Sequence, residues 1–388
     1  MILNKTNKHL INDILENFAQ AGMNQLKENL EKLFNELMIA EREDFVNASF
    51  YERTENRKDY CNGFKNKKLL IRVGELNLRV PQVRSSEFYP SCLEKGDQTE
   101  KALKLALAEA YVQGVSTRRV KHLTEELCGK EISSTQVSRF ATILDEEVLK
   151  FKNRPLGKYR YVYFDAQYKK VRYEGSVRSL AVLKAVGVHS DGIREILGVS
   201  CDLSEAEVHW RHFMEGLIQR GLCGVELVIS DSHKGLQNAL KAVFPSVKWQ
   251  RCLFHLAQNA AAQAPSASMR EITCAAVKEI YSAVDKTEAE VRLRKIVNEY
   301  QDKAHKFCNW LEEHFVEGLT FYDFPKDHWV KIRTSNVLER VNLEQRRRTR
   351  VVGLFPSISS CERLVTTIAM QIHEEWAVNG KYLSVKKD

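Results

Sequence analysis

The chain has 388 residues, 44% hydrophobic and 28% charged, with a formal net charge of +8, which is a globular composition with room for two to three domains. The charge excess is modest, so its placement decides more than its size. Nine scattered cysteines, an odd number, the absence of a secretory leader after Met1 and the lack of any run approaching ~18 apolar residues exclude a disulfide-built secreted protein and a membrane span, and predict a reduced, cytoplasmic chain with free thiols.

Residues 8–45 carry helical periodicity, with Leu10, Ile14, Leu15 and Phe18, then Leu26, Leu30, Leu33, Phe34 and Leu37, at three- and four-residue steps. Packing inside the protein is the first reading of this stripe and a dimer contact the alternative. Residues 69–73 and 76–81 around Gly74-Glu75 predict a hairpin closed at a glycine turn. It is flanked by Arg57, Lys58, Lys65, Lys67, Lys68, Arg79 and Arg84. From 99 to 145 the pattern is helical again. One helix over 116–127 is broken by Cys128-Gly129-Lys130, and a second runs from Ile132 to about Leu144, a helix-turn-helix pattern. The second helix opens on small polar residues suited to base edges and phosphates, so Arg118, Arg119, Ser133, Ser134, Gln136 and Arg139 are the predicted DNA contacts. An ordinary helical hairpin is the alternative.

Strands begin at Tyr159. Residues 161–164 end at Asp165; 180–188 and 193–200 follow around a turn at 189–192; a helix covers 205–220. Residues 225–230 end at Asp231, a helix covers 235–244, and a short strand covers 247–252. Three antiparallel strands, then helix, strand, helix and strand predict an α/β fold with a mixed sheet of the ribonuclease H type. Residues 257–330 form an all-helical insertion, and the sheet domain resumes with the helix of 331–350 and a last helix from about Ser359 to Trp376. The expected organisation is an N-terminal helical region (1–56), a DNA-binding region of basic hairpin and helix-turn-helix (57–150), a catalytic core in two parts (158–256 and 331–388), and the insertion (257–330).

One acid in the basic stretch 331–350 stands out. Glu339 lies among Lys331, Arg333, Arg340, Arg346, Arg347, Arg348 and Arg350, while Asp165 and Asp231 are read as closing neighbouring strands. In-line phosphodiester cleavage uses two divalent ions about 3.5–4 Å apart, and Mg²⁺ takes hard oxygen ligands, so two or three carboxylates suffice. Taken singly, each acid has a structural alternative. The aspartates could be turn or cap residues, and Glu339 could close a capping box with Asn336. Taken together beside the arginines, they predict a catalytic metal site, with the surrounding cations expected to lower the acids' pKa and keep them ionised.

Cys252 and His255 form a Cys-x-x-His pair, but structural zinc needs four ligands; a buried thiol and a hydrogen-bonded imidazole, with His233 nearby, are expected. Trp310 and Trp329 are candidates for stacking on an extruded base, a contact worth ~1–3 kcal/mol, against an ordinary core role.

The segments 163–172 (YFDAQYKKVR), 230–235 (SDSHKG), 249–255 (WQRCLFH), 334–342 (TSNVLERVN), 346–356 (RRRTRVVGLFP) and, upstream, 111–118 (YVQGVSTR) resemble the Mutator-type transposases of bacterial insertion sequences. The likeness runs from about residue 50 to the C-terminus; Gln167, Ser232 and Gln258 are local departures, and none removes an acid of the triad. The resemblance implies a ribonuclease H-like catalytic domain in which Asp165, Asp231 and Glu339 form an Asp-Asp-Glu triad holding two Mg²⁺ or Mn²⁺ ions. It implies cleavage at element ends and transfer of the 3′-hydroxyl into target DNA without a covalent enzyme intermediate. Arg340, Arg346, Arg347, Arg348 and Arg350 would position phosphates. The partners would be double-stranded DNA, as terminal inverted repeats and target, with the chain acting as a homodimer or higher oligomer at the nucleoid. A nuclease of the same fold without transposition, and an inactive transposase-derived DNA-binding protein, are the alternatives.

Overall fold

A computed structural model of the chain describes residues 26–48, 52, 56–71, 74–85, 88–93, 99, 101–115, 119–120, 122, 124–125, 132–378 and 380–383. The first half of the N-terminal helical stripe, Arg72, Val73, Arg118 and the expected break at Cys128-Gly129-Lys130 lie outside these, as do the side chains of Ser134 and Ser138; Gly74 and Glu75, expected as the hairpin turn, instead pair with Ile71 and Leu70 in the ribbon. The chain divides into two compact units, Met1–Ile143 and Leu144–Asp388.

In the first unit, helix α1 (Leu26–Val46) packs on a two-stranded antiparallel ribbon, β1 (Cys61–Ile71) and β2 (Gly74–Val83). Leu30, Phe34 and Met38 meet Leu76, Leu78 and Val80, so Leu30 and Phe34 of the helical stripe are spent on packing within the unit. Helix α2 (Lys101–Val112) and the short helix α3 (Ser134–Phe140) follow.

The second unit opens with α4 (Asp145–Asn153), whose Asp145 and Lys152 pair with Arg363 and Glu362 of the last helix. A five-stranded sheet of order β5-β4-β3-β6-β7 comes next. Strands β3 (Tyr161–Tyr173), β4 (Ser176–Val188) and β5 (Arg194–Asp202) form an antiparallel meander; β6 (Leu227–Ser230) and β7 (Lys248–Arg251) join the other side of β3 in parallel, each reached through a helix, α5 (Glu207–Gln219) and α6 (Lys234–Val243). Helices α7 (Leu253–Ala262), α8 (Ala267–Ile280) and α9 (Lys286–His314) make a helical block, and short turns lead to α10 (Trp329–Ile332), α11 (Asn336–Thr349) and α12 (Ile358–Val378). Among the described residues no helix is long and apolar enough to cross a membrane.

The strand period of two decides what each face carries. Val162 and Phe164 of β3, with Ala181, Leu183 and Ala185 of β4, point to α5 and α6 and meet Trp210, Phe213, Met214, Leu217 and Leu236. Each fully buried valine, leucine, methionine or phenylalanine among them contributes about 1.5–3 kcal/mol. The alternate residues Tyr161, Tyr163 and Asp165 face the C-terminal helices: the Tyr161 hydroxyl meets His328 Nδ1 at 2.7 Å, and the Tyr163 hydroxyl donates to the Lys331 carbonyl at 3.2 Å.

Asp165 does not close its strand, contrary to the expectation from the apolar run 161–164. β3 continues for eight residues beyond it, because its distal half is half-exposed and polar but still pairs in full with β4. What ends near Asp165 is the pairing with β6, whose last partner on β3 is Tyr163.

Helix α6 is seated by a close approach. A Cβ on Gly235 would stand 2.3 Å from the Glu205 carbonyl oxygen, a backbone atom that has nowhere to move. Gly235→Ala is expected to cost about 1–3 kcal/mol as overpacking and to lower the melting temperature by roughly 3–10 °C; an unchanged melting curve would show that α6 can shift freely.

Candidate active site

The parallel register of β3 and β6 pairs Tyr161 with Leu227, Val162 with Val228 and Tyr163 with Ile229. Continued by two residues, it sets Asp165 opposite Asp231, on adjacent strands about 4.8 Å apart. The two are close enough for Asp231 to push the Asp165 carboxyl upward. Asp231 turns the chain into α6 by accepting the His233 backbone N–H on Oδ1 at 3.1 Å.

Asp165 is only 8% exposed. Burial, chiefly, holds its carboxyl above the usual range, against the opposing pull of Lys184, Asn342 and, after them, His255. The surrounding cations therefore do not lower it as the sequence suggested; desolvation outweighs them. Directly across β4 from Asp165 stands Lys184, also buried. Burial brings its ammonium down to about 7 even though the Asp165 carboxylate pulls the other way. One amide joins the two. Asn342 of α11 accepts a hydrogen bond from Lys184 Nζ on Oδ1 and donates from Nδ2 to Asp165 Oδ2 at 2.5 Å. An ammonium can only donate and a carboxylate only accept, so with both groups ionised the amide has one orientation. Lys184 was legible as the lone charge in the apolar run 180–188; Asn342 carried no signal beyond its place in the 334–342 motif.

Glu339 lies three residues before Asn342, about 4.5 Å along the same helix. It is half-buried, and among the described residues no hydrogen bond or ion pair engages its carboxylate. The capping box with Asn336 is not formed. Ser335 is the N-cap and Asn336 the first helical residue, and the Ser335 hydroxyl is spent on another contact. Its Oγ and its backbone N–H both donate to the Cys252 sulfur, each at 3.2 Å.

Cys252 itself is fully buried and gives its backbone N–H to the Ser230 carbonyl at 2.7 Å. It thereby ties the residue before Asp231 to the start of the helix carrying Glu339. Burial raises its thiol, but His255 and Ser335 prevail and hold it below the ordinary value. His255 is pushed up to about 9, first by the Cys252 sulfur, against desolvation, and then by Asp165 and Asp231. An imidazolium therefore faces the aspartates at neutral pH. His233 is exposed as the N-cap of α6, with Nδ1 3.7 Å from Glu205 Oε2. Glu205, which the sequence placed only at a helix start, is buried beside the aspartates. Its carboxyl is raised by burial, with His233 and Tyr168 opposing and Asp231 and Asp165 adding.

The arginines of α11 fall into two groups. Arg348 is buried, bonded to Glu344 and Gln371, and Arg347 also pairs with Glu344; hydrogen bonds from Arg347, foremost, and Arg348 hold Glu344 down to about 2. Arg340, Arg346 and Arg350 are exposed. Trp329 is packed against Phe321 and Tyr322 and donates its Nε1 to the Phe324 carbonyl at 2.7 Å. Trp310 lies under the Arg251 guanidinium and shares a polar recess with Ser232.

In the first unit, Ser133 and Gln136 serve each other: Ser133 Oγ accepts from the Gln136 N–H, and Gln136 Oε1 accepts from the Ser133 N–H, a capping box that starts α3. Arg119 and Arg139 are exposed.

The donor chemistry suits a hard divalent cation. Asp165 and Asp231 come together from β3 and the end of β6, and Glu339 lies on α11 one turn before the Asn342 that bonds Asp165; the second oxygens of Asp165 and Asp231 and the whole Glu339 carboxylate are outside the hydrogen bonds described. Among the described residues, no three His, Cys, Asp or Glu side chains are gathered tightly enough to hold one ion between them.

Known proteins resemble the chain along nearly its whole length. The family described as "Transposase, Mutator family" matches residues 4–379. The transposase for insertion sequence element IS406 of Burkholderia multivorans is 49% identical over 373 residues, 96% of this chain and 95% of that protein. The transposase for ISRM5 of Rhizobium meliloti is 39% identical, covering 98% of this chain and 95% of its own. The transposase for IS256 in transposon Tn4001 of Staphylococcus aureus is 38% identical and covers 93% of each.

Two stability measurements check this geometry. Cys252→Ala leaves the Ser335 N–H and hydroxyl without an acceptor and is expected to destabilise by about 1–3 kcal/mol in denaturant melts; a loss well below this range would mean that Cys252 is only a space-filler. Asp165→Asn should have the opposite effect. A carboxyl raised by folding penalises the folded state once pH exceeds its folded pKa, and the penalty disappears below the ordinary carboxylate value. The variant should melt higher than wild type at neutral pH, with the gap closing as pH falls through the folded pKa toward 3.8; a gap that widens in acid contradicts the burial argument.

Proposed function

The chain belongs to the Mutator family of transposases, and we propose that Asp165, Asp231 and Glu339 are the carboxylates with which it cuts the ends of its insertion sequence and joins the freed 3′-hydroxyls to target DNA. The carrying observation is the register that sets Asp165 beside Asp231 while Asn342 holds the helix of Glu339 one turn away. We read the mixed sheet as ribonuclease H-like, with three antiparallel strands followed by two parallel ones, and the helical block between β7 and α11 as an insertion in that core.

Asp165, Asp231 and Glu339 would hold two Mg²⁺ or Mn²⁺ ions. Such ions, when bound, ease deprotonation of the attacking water or 3′-hydroxyl and offset charge on the leaving oxygen. The protein's own part is placement. Asn342 takes one oxygen of Asp165 and leaves the other for ligation. The His233 N–H does the same at Asp231. The Glu339 carboxylate has no hydrogen bond or ion pair among the described residues to break on ligation. The His255 imidazolium balances the charge of the two aspartates. Water and then the DNA hydroxyl are the nucleophiles, so no side chain forms a covalent intermediate. Arg340, Arg346 and Arg350 are assigned to phosphate contact, whereas Arg347 and Arg348 are engaged in the fold around Glu344. The first unit, including Arg118, Arg119, Ser134 and Arg139, is the region we assign to binding the terminal repeats. Both ends must be held at once, so the active species is a homodimer or a higher oligomer on DNA.

The test is cleavage and strand transfer on labelled duplex carrying the element's terminal sequence, with Mg²⁺ or Mn²⁺. Asp231→Asn and Glu339→Gln should each lose about 10³-fold or more in rate, some 4 kcal/mol of barrier, with duplex binding retained. Full activity in either variant removes that residue from the triad.

A further inference from the structure

The β1–β2 ribbon has two unlike faces. One buries Leu76, Leu78 and Val80 on α1. The other presents Phe64, Asn66 and Lys68 from β1 and Asn77 and Arg79 from β2, all exposed. Asn66 stands opposite Arg79, and Lys68 opposite Asn77, so two adjacent rungs offer two asparagines, an arginine and a lysine. Lys68, exposed, pairs with Glu75 at 3.0 Å, a surface pair that exchanges readily for another anion. The Arg79 guanidinium stands 4.8 Å over the Phe64 ring, which orders its planar fork without consuming its donors.

Charge and edge geometry say what this face can meet. Residues 57–84 carry eight basic and two acidic side chains, a formal +6 in a chain whose total is +8. The Asn77 and Arg79 N–H groups on the outer edge of β2 already donate to Glu31 and Asn35 of α1, at 2.7 and 2.8 Å. That edge is closed to an added strand, and the polar face is what remains.

We propose that this face enters the major groove of double-stranded DNA and reads base edges there, with Arg79 and Asn66 as specificity-determining residues and Lys68 and Asn77 on the next rung. The major groove, about 12 Å wide, admits a two-stranded ribbon, and arginine and asparagine are the side chains that pair bidentately with guanine and adenine. Residues two apart on a strand are about 6.6 Å apart, close to two base-pair steps. Lys65, exposed on the opposite side of β1, is placed for phosphate. The proposal rests on the assignment of this region to DNA binding and is independent of the carboxylates.

The experiment selects from a pool of random-sequence duplexes with the full chain and sequences what is retained. Wild type enriches one motif. Arg79→Ala and Asn66→Ala each lose discrimination by roughly 5- to 100-fold at one or two adjacent base pairs and keep the rest of the motif. Lys65→Ala instead weakens binding to all sequences and lowers the salt slope by about 0.9. Melting curves matching wild type separate these effects from misfolding, as the altered side chains are exposed. Asp231→Asn selects the wild-type motif whether or not it cuts, so a failure of the triad leaves this test standing. The proposal is overturned if wild type enriches no motif, if Arg79→Ala and Asn66→Ala retain the wild-type motif in full, or if they weaken all sequences equally.

Discussion

Two side chains hold the candidate site together, and both act on the helix that carries Glu339. Cys252 binds the first turn of α11 through its sulfur and the end of β6 through its backbone N–H. Asn342 ties the middle of the same helix to β3 and β4 through Asp165 and Lys184. Further along, Lys169 Nζ donates to Thr349 Oγ1 at 2.7 Å, and Phe355 exchanges backbone hydrogen bonds with Lys170 and Arg172 of β3. A helix fixed at its start, middle and end has little freedom to rotate, so the position from which Glu339 is presented is fixed with it.

These tethers come at the expense of stability. Asp165 and Lys184 are buried ionisable groups, and a buried pair of charges rarely repays its desolvation in full. Their arrangement is intelligible as preorganisation. The sheet holds a carboxylate in a form that favours a proton or a cation, and Lys184 fixes the amide that fixes the carboxylate. A cation delivered to Asp165 and Asp231 would relieve the same electrostatic penalty that burial creates. The Cys-x-x-His pair then has a structural and electrostatic place beside the acids, as a thiol that joins two elements and an imidazolium that faces them.

Most of the second unit was legible because its signals are local. Apolar runs at 161–164 and 225–230 mark central strands, and the order of elements yields a mixed sheet. What escaped depends on contacts distant in sequence. The Asn336 capping box fits the local spacing, and it fails because Ser335 is the N-cap, with its hydroxyl spent on a cysteine 83 residues away. Asp165 looked like a strand end because the polar second half of β3 has no apolar alternation, although β4 pairs with all of it. Its ionisation was judged from nearby arginines in sequence, whereas its burial, a tertiary property, decides the direction. Ser133 and Gln136 show the converse case: their spacing is itself a capping signal, and it was read as base-contact chemistry. Arg348 could not be sorted from Arg346 by sequence, since only the path of α12 buries one and leaves the other exposed.

The central claim is that Asp165, Asp231 and Glu339 bind divalent metal together. Anomalous diffraction from crystals of the full chain grown with Mn²⁺ and element-end DNA measures it directly. The account predicts Mn²⁺ density within ligand distance of both aspartates, with Glu339 turned onto at least one ion. Manganese bound elsewhere, or bound at the aspartates without Glu339 as a ligand, would contradict it.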